Sequence, residues 1–139
     1  MLHHASFAVE DFEKNLHFYD TTLALLGMER LMLFETPEHN VAGYGTKGKP
    51  CFWIGEDTKP NKKEFVGKAR GFHLAFVAND TEAVQAWHKK CLELGAKDNS
   101  GPGPRPHYHP NYYGAFVIDL NGWRIEAATP PVSRTTAIT

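Results

Sequence analysis

The sequence predicts an α+β fold in which two βαβββ modules form a curved mixed sheet around a metal site, with helices on the outer face. Three observations lead there. Strand-like and helix-like stretches follow one another in the order strand, capped helix, glycine stop and short strands. That order occurs twice at a nearly constant offset. Two histidines and one glutamate fall at related strand positions.

The first half opens with a strand over residues 2–9, LHHASFAV, in which Leu2, Phe7 and Val9 stand among small and polar positions. Asp11 is the expected N-cap, and Lys14 occupies the third helical position, where a capping box would carry Glu. Phe12, Leu16, Tyr19, Leu23 and Leu26 recur at three- and four-residue steps and mark one helical face, with Gly27 as the stop. Three short strands follow, over 29–35, 40–44 and 50–55, with TKGKP (46–50) as a hairpin loop. The polar, charged run from Glu56 to Arg70 reads as a linker or edge loop, so the first module spans about 1–58 and the linker about 59–70.

The second module, about 71–129, begins with a strand over 71–78, GFHLAFVA. Asp80 or Thr81 caps a helix whose buried face is Val84, Trp87, His88, Cys91 and Leu94, and Gly95 ends it. The Gly/Pro-rich stretch 99–110, NSGPGPRPHYHP, reads as a loop. Residues 112–119 form a strand, DLNG (119–122) a hairpin turn and 123–128 the last strand. The tail, 130–139, has little to pack.

The two halves superimpose as sequence. His4 meets His73 and Asp11 meets Asp80 at an offset of 69 (73 − 4; 80 − 11), as do Phe18-Tyr19 and Trp87-His88; Gly27 meets Gly95 at 68 (95 − 27). DLNG falls opposite TKGKP. A histidine, a cap, an aromatic pair and a C-cap at matching offsets point to a duplication. One βαβββ unit does not close a core, whereas two bury one sheet face under helices and leave the other as a concave trough.

Composition narrows the function. The 139 residues suit a single domain with a full hydrophobic core and no need of disulfides. A net charge of −1 gives no reason to expect a nucleic-acid or membrane partner. No apolar run nears the roughly 18 residues of a membrane span, and MLHHASFAVED lacks the pattern of a signal peptide. Cys51 and Cys91 form no CxxC pair and read as buried thiols, which with the missing leader suggests the cytoplasm.

The chemistry lies in His4, His73 and Glu126. As repeat-related residues at the first strand of each half, the histidines point to equivalent sides of the sheet. Glu126 sits between Ile125 and Ala127, where a carboxylate is costly unless paired or bound to a cation. Two imidazoles and a carboxylate on rigid strands make a two-His, one-carboxylate set with open positions for water and substrate. Fe(II), Mn(II), Zn(II) and Ni(II) all tolerate such ligands.

These segments resemble the vicinal oxygen chelate superfamily of glyoxalase I, extradiol dioxygenases, fosfomycin-resistance transferases and bleomycin-resistance proteins. The matching stretches are LHHASFAVEDFEKNLHFY (2–19), GFHLAFVANDTEAVQAWHKKCLELGA (71–96) and YYGAFVIDLNGWRIEA (112–127). The resemblance implies paired βαβββ modules, with His4, His73 and Glu126 as ligands of one divalent metal ion. It also implies a homodimer, since many relatives with one module pair dimerise and some build the site across two chains. Glyoxalase I-like members carry a fourth ligand, a Glu on the last strand of the first module. Here that place falls to Phe52 or Trp53, neither of which ligates or accepts a proton, and Glu56 lies just beyond.

The loop before the last hairpin supplies further candidates. Arg105 is suited to an anionic substrate group, and Tyr113 to substrate contact or acid/base work; His107, His109 and Tyr112 are weaker candidates for the same tasks. The expectation is therefore a metal-dependent enzyme acting on a small substrate that chelates the ion through adjacent oxygens. Its reaction would be of lyase/isomerase or ring-cleaving dioxygenase type. The alternatives are a metal-independent, ligand-sequestering resistance protein and a thiol transferase resembling the fosfomycin-resistance enzymes.

Overall fold

The structure is a computed structural model and describes residues 1–58 and 71–130. The expected linker, including its basic stretch at 59–63, and the tail from residue 131 onward lie outside the described residues.

Each half forms β-α-β-β-β in chain order. The first comprises β1 (Ala5–Val9), α1 (Phe12–Ala24), β2 (Glu29–Glu35), β3 (Asn40–Thr46) and β4 (Lys49–Glu56). The second comprises β5 (Leu74–Val77), α2 (Thr81–Glu93), β6 (Lys97–Pro104), β7 (Tyr113–Ile118) and β8 (Arg124–Ala128). The repeat holds in three dimensions: β1 and β5 start 69 residues apart (74 − 5), and both helices have 13 residues. Asp11 and Asp80 cap the helices by accepting from the backbone N–H of Lys14 and Ala83. Gly27 and Gly95 end them with φ of 78° and 104°, a conformation that side chains with a Cβ rarely adopt.

Each module makes a mixed four-stranded sheet, in the orders β1-β4-β3-β2 and β5-β8-β7-β6. The first strand of each pairs in parallel with the last, and the remaining pairs are antiparallel. The expected curved sheet is thus realised as two sheets, with β1 and β5 each at an edge. Strand alternation puts Phe7, Val9, Phe52 and Ile54, and likewise Phe76, Val117, Ile125 and Ala127, into one core with the buried helix faces. The predicted face of α1 is buried along its length, from Phe12 to Leu26, and Trp87 and Cys91 anchor α2.

Two expectations need correction. β6 runs from Lys97 to Pro104 and so takes up the first part of the Gly/Pro-rich stretch read as a loop. β6 is an edge strand, so Pro102 and Pro104 are tolerated where a central strand would need their missing N–H. Its irregularity survives as register shifts between Asp98 and Gly103. The thiol of Cys91 is buried, but Cys51 is exposed, because it shares strand parity with Trp53 on the face away from the helices.

The modules are joined at the DLNG turn. Trp123 stacks on Phe7 with ring centroids 4.6 Å apart, and its Nε1–H donates to the Ala8 carbonyl at 3.0 Å. Asn121 donates to Asn15 Oδ1 at 2.7 Å and accepts from the Glu10 N–H at 3.1 Å. Buried Asp119 accepts from the backbone N–H groups of Asn121 and Trp123 and from the Tyr19 hydroxyl. Burial raises the Asp119 carboxyl above its ordinary value, against the lowering by these donors.

Candidate functional site

Glu126 is the centre of the site. It lies on β8 between Ile125 and Ala127, which face the core, so its own side chain faces the opposite, open side of the second sheet. It is nevertheless 1% exposed. A carboxylate buried to that degree needs donors for both oxygens, and it has them. His73 Nε2 lies 3.0 Å from Oε1, and the Tyr112 hydroxyl donates to Oε2 in a short hydrogen bond. Burial first, and then the neighbouring Glu126, push the Tyr112 hydroxyl well above the ordinary tyrosine value, so it stays a donor at neutral pH.

Local sequence explains how these groups meet. His73 immediately precedes β5, the parallel neighbour of β8, and Phe116 on β7 faces Glu126 across the other pairing. The His73 ring packs edge-on against Phe116 at 5.5 Å. Gly114 makes the room: a Cβ there would lie 2.9 Å from Glu126 Oε2 and 3.2 Å from Tyr112 Cε1. Neither Tyr112 as the partner of Glu126 nor Gly114 as the gap beside it was singled out from sequence, although the YYG run holds both.

The pair fits two positions on a metal ion. Donors about 2 Å from one cation stand about as far apart as His73 Nε2 and Glu126 Oε1, at 3.0 Å. The expected third ligand does not join them within one chain. His4, just before β1, is exposed, and its Nδ1 lies 2.7 Å from His3 Nδ1. Among the described residues, no three His, Cys, Asp or Glu side chains come together as a metal-binding group. His4 precedes β1 in the first sheet, whereas His73 precedes β5 and Glu126 lies on β8 in the second.

The register of the two parallel pairings identifies the residue of the first module that corresponds to Glu126. Ser6 on β1 faces Trp53 on β4, as Ala75 on β5 faces Glu126 on β8, so Trp53 rather than Phe52 holds the equivalent place. Its indole lies flat over Gly43, where a Cβ would meet Cζ3 at 2.7 Å, and runs nearly parallel to Phe34 at 6.5 Å. Phe52 is in the core, and Glu56 shares its strand parity and accepts from Asn40 Nδ2 at 2.9 Å.

The loop candidates divide. Tyr113 turns to the helix side of its sheet, where its hydroxyl accepts from Gln85 Nε2 of α2 at 2.9 Å; it does not face Glu126. Alternation along β7 explains this, because Tyr113 shares parity with buried Ala115 and Val117. Arg105 is tied to its own strand end, donating through Nη2 to Ser100 Oγ at 2.7 Å and the Gly101 carbonyl at 2.9 Å, with its guanidinium 5.7 Å from the Phe116 ring centre. His107 is exposed beside Tyr108, and His109 packs edge-on against Tyr112 at 5.0 Å.

Comparison with known proteins agrees with this architecture. Residues 1–127 match the family described as Glyoxalase/Bleomycin resistance protein/Dioxygenase superfamily. Comparison with curated protein sequences gives no match. Among solved structures, a glyoxalase/bleomycin resistance protein from Albidiferax ferrireducens superimposes with a TM-score of 0.70 at 24% identity, covering 91% of this chain and 97% of the other. Glyoxalase I from Zea mays gives 0.67 at 23% identity over 91% of this chain, which spans 44% of that longer protein. The fosfomycin resistance protein FosX from Listeria monocytogenes gives 0.60 at 13% identity, covering 98% and 94%. At these identities the likeness concerns the fold. No helix among the described residues is long and apolar enough to cross a membrane.

Proposed function

We propose, from the premise that this chain belongs to the glyoxalase/bleomycin resistance protein/dioxygenase superfamily, that it is a metal-dependent enzyme for a small substrate bearing adjacent oxygens. The observation that carries the reading is buried Glu126 with His73 Nε2 held 3.0 Å away. In this reading His73 and Glu126 are two protein ligands of a divalent ion, and His4 is the third, delivered by a second copy of the chain. The terminal places of β1 and β5 in their sheets, each preceded by one of the repeat-related histidines, support a homodimer that sets one copy's first module against the other's second.

A bound ion would act as a Lewis acid on the substrate oxygens or activate a water or O₂. The chain's own part is positioning. Tyr112 orients Glu126 through Oε2, and Phe116 and the rest of the open face keep water from the carboxylate. Because Trp53 stands where glyoxalase I-like members carry a carboxylate, proton transfer from that position is absent from the reading. Lyase/isomerase chemistry with another base and ring-cleaving dioxygenase chemistry both fit it.

One observation favours a second reading, a metal-independent ligand-sequestering protein: both Glu126 oxygens already have protein donors. Metal analysis separates the two. The purified protein is expected to hold about one divalent ion per chain and to lose it in His73→Ala and Glu126→Gln. Mixing His4→Ala with His73→Ala protein is expected to restore ion binding, since one site of the mixed dimer regains all three ligands. No ion in the wild type, with unchanged ligand binding in His73→Ala, would leave the sequestering protein. Oxygen uptake with catechols and isomerisation of a glutathione hemithioacetal then assign the reaction.

A further inference from the structure

Beside Glu126, on the same open face of the second sheet, lies a cavity of about 220 Å³. Ala75, Val77 and Ala128 form its floor, Ala128 being two residues along β8 from Glu126, and Tyr112 and His109 from the preceding loop form its wall. The cavity is open to solvent past exposed Ala75 and Val77, and its volume exceeds the about 150 Å³ that holds benzene in a closed apolar cavity. Its lining is mostly apolar carbon, and Tyr112 already spends its hydrogen on Glu126.

His109 is the exception. Both ring nitrogens are buried, and neither has a hydrogen-bond partner among the described residues. Leaving a buried polar atom unsatisfied is destabilising, so an imidazole in this state is unusual unless something else partners it. In the structure both nitrogens are buried; a turn about the last side-chain torsion, which is soft for histidine, would exchange the carbon and nitrogen edges of the ring and could present a nitrogen to a ligand.

We propose that this cavity is a subsite for a ring-sized, largely apolar group carrying one oxygen, and that His109 hydrogen-bonds that oxygen. It rests on the metal reading only for its place in the reaction: a substrate held at His73 and Glu126 would extend its carbon body along β8 to His109.

The test uses phenol and its near-isostere toluene, titrated into the full chain as purified and again after EDTA. Methyl signals of Ala75, Val77 and Ala128 and the ring-nitrogen signals of His109 are followed by NMR. Both ligands are expected to shift the methyls, and phenol alone to shift the His109 nitrogens. His109→Leu should weaken phenol by roughly fivefold to tenfold and leave toluene unchanged, while His109→Gln keeps most of the preference for phenol. Ala75→Phe, which fills the cavity from an exposed position, should abolish binding of both. Wild-type protein in which phenol leaves these signals unmoved, or His109→Leu protein that binds phenol as tightly as wild type, would overturn the proposal. Binding that persists after EDTA upholds the subsite whatever the metal content, so the two readings fail separately.

Discussion

Trp53 stands on β4 where Glu126 stands on β8. Ser6 and Ala75, 69 residues apart (75 − 6), face them across the two parallel pairings. One module thus presents an indole, lying over Gly43, at the position where the other presents its buried carboxylate. In the proposed reading, this asymmetry sets the chain apart from the four-ligand, glyoxalase I-like pattern.

Restoring the carboxylate tests that point. Trp53→Glu is expected to tighten divalent-ion binding and to create or raise hemithioacetal isomerisation. Losing the parallel Phe34 contact should cost about 0.5–1.5 kcal/mol of stability. Ion titration, the isomerase assay and urea unfolding read the three effects; unchanged ion affinity would count against the equivalence in the assembled site.

Gly114 is predicted to be intolerant of a methyl group. In Gly114→Ala the new Cβ meets Glu126 Oε2 at 2.9 Å, so the carboxylate or the strand must move. A stability loss of about 1–3 kcal/mol is expected, together with weaker ion binding. Thermal unfolding and metal content check it, with Gly101→Ala, which meets nothing within 4 Å, as the control.

Asp119→Ala is expected to cost about 3 kcal/mol or more, because two backbone N–H groups and the Tyr19 hydroxyl lose their acceptor together. The DLNG turn also carries the Asn121 and Trp123 contacts to β1 and α1, so the loss should reach the junction between modules. Equilibrium unfolding measures it; a loss below about 1 kcal/mol would mean the turn is not held through Asp119.

Stability should fall in alkali. Burial pushes Tyr19, Tyr44 and Cys91 well above their ordinary values, with Asp119 adding to Tyr19 and Cys91 and Asp20 to Tyr44. A raised folded value means that the stability is fully present below the unfolded value. It is then lost as pH climbs toward the folded one, because only the unfolded chain releases the proton. The window opens near pH 9 for the thiol and near pH 10 for the phenols, with each group contributing up to about 1.4 kcal/mol per pH unit. Urea unfolding from about pH 7 to about pH 11 should show little change below that window and a steep fall within it.

What depends on local pattern is legible along the chain. Helical periodicity marked the buried faces of α1 and α2, Asp11, Asp80, Gly27 and Gly95 marked their ends, and the 69-residue offset marked the duplication. The apolar run around Glu126 announced a carboxylate in need of a partner, and His73 supplies one. Tertiary structure decided what depends on register and on which edges meet. A one-residue step separates Tyr112, on Glu126, from Tyr113, on Gln85, and likewise Trp53 from Phe52. Pro102 and Pro104 concealed β6 because only the sheet order makes it an edge. His4 and His73 match as sequence, but a repeat fixes equivalent positions within each module and says nothing of the distance between modules. That distance is set by how the two sheets pack, which leaves β1 and β5 on separate edges within one chain.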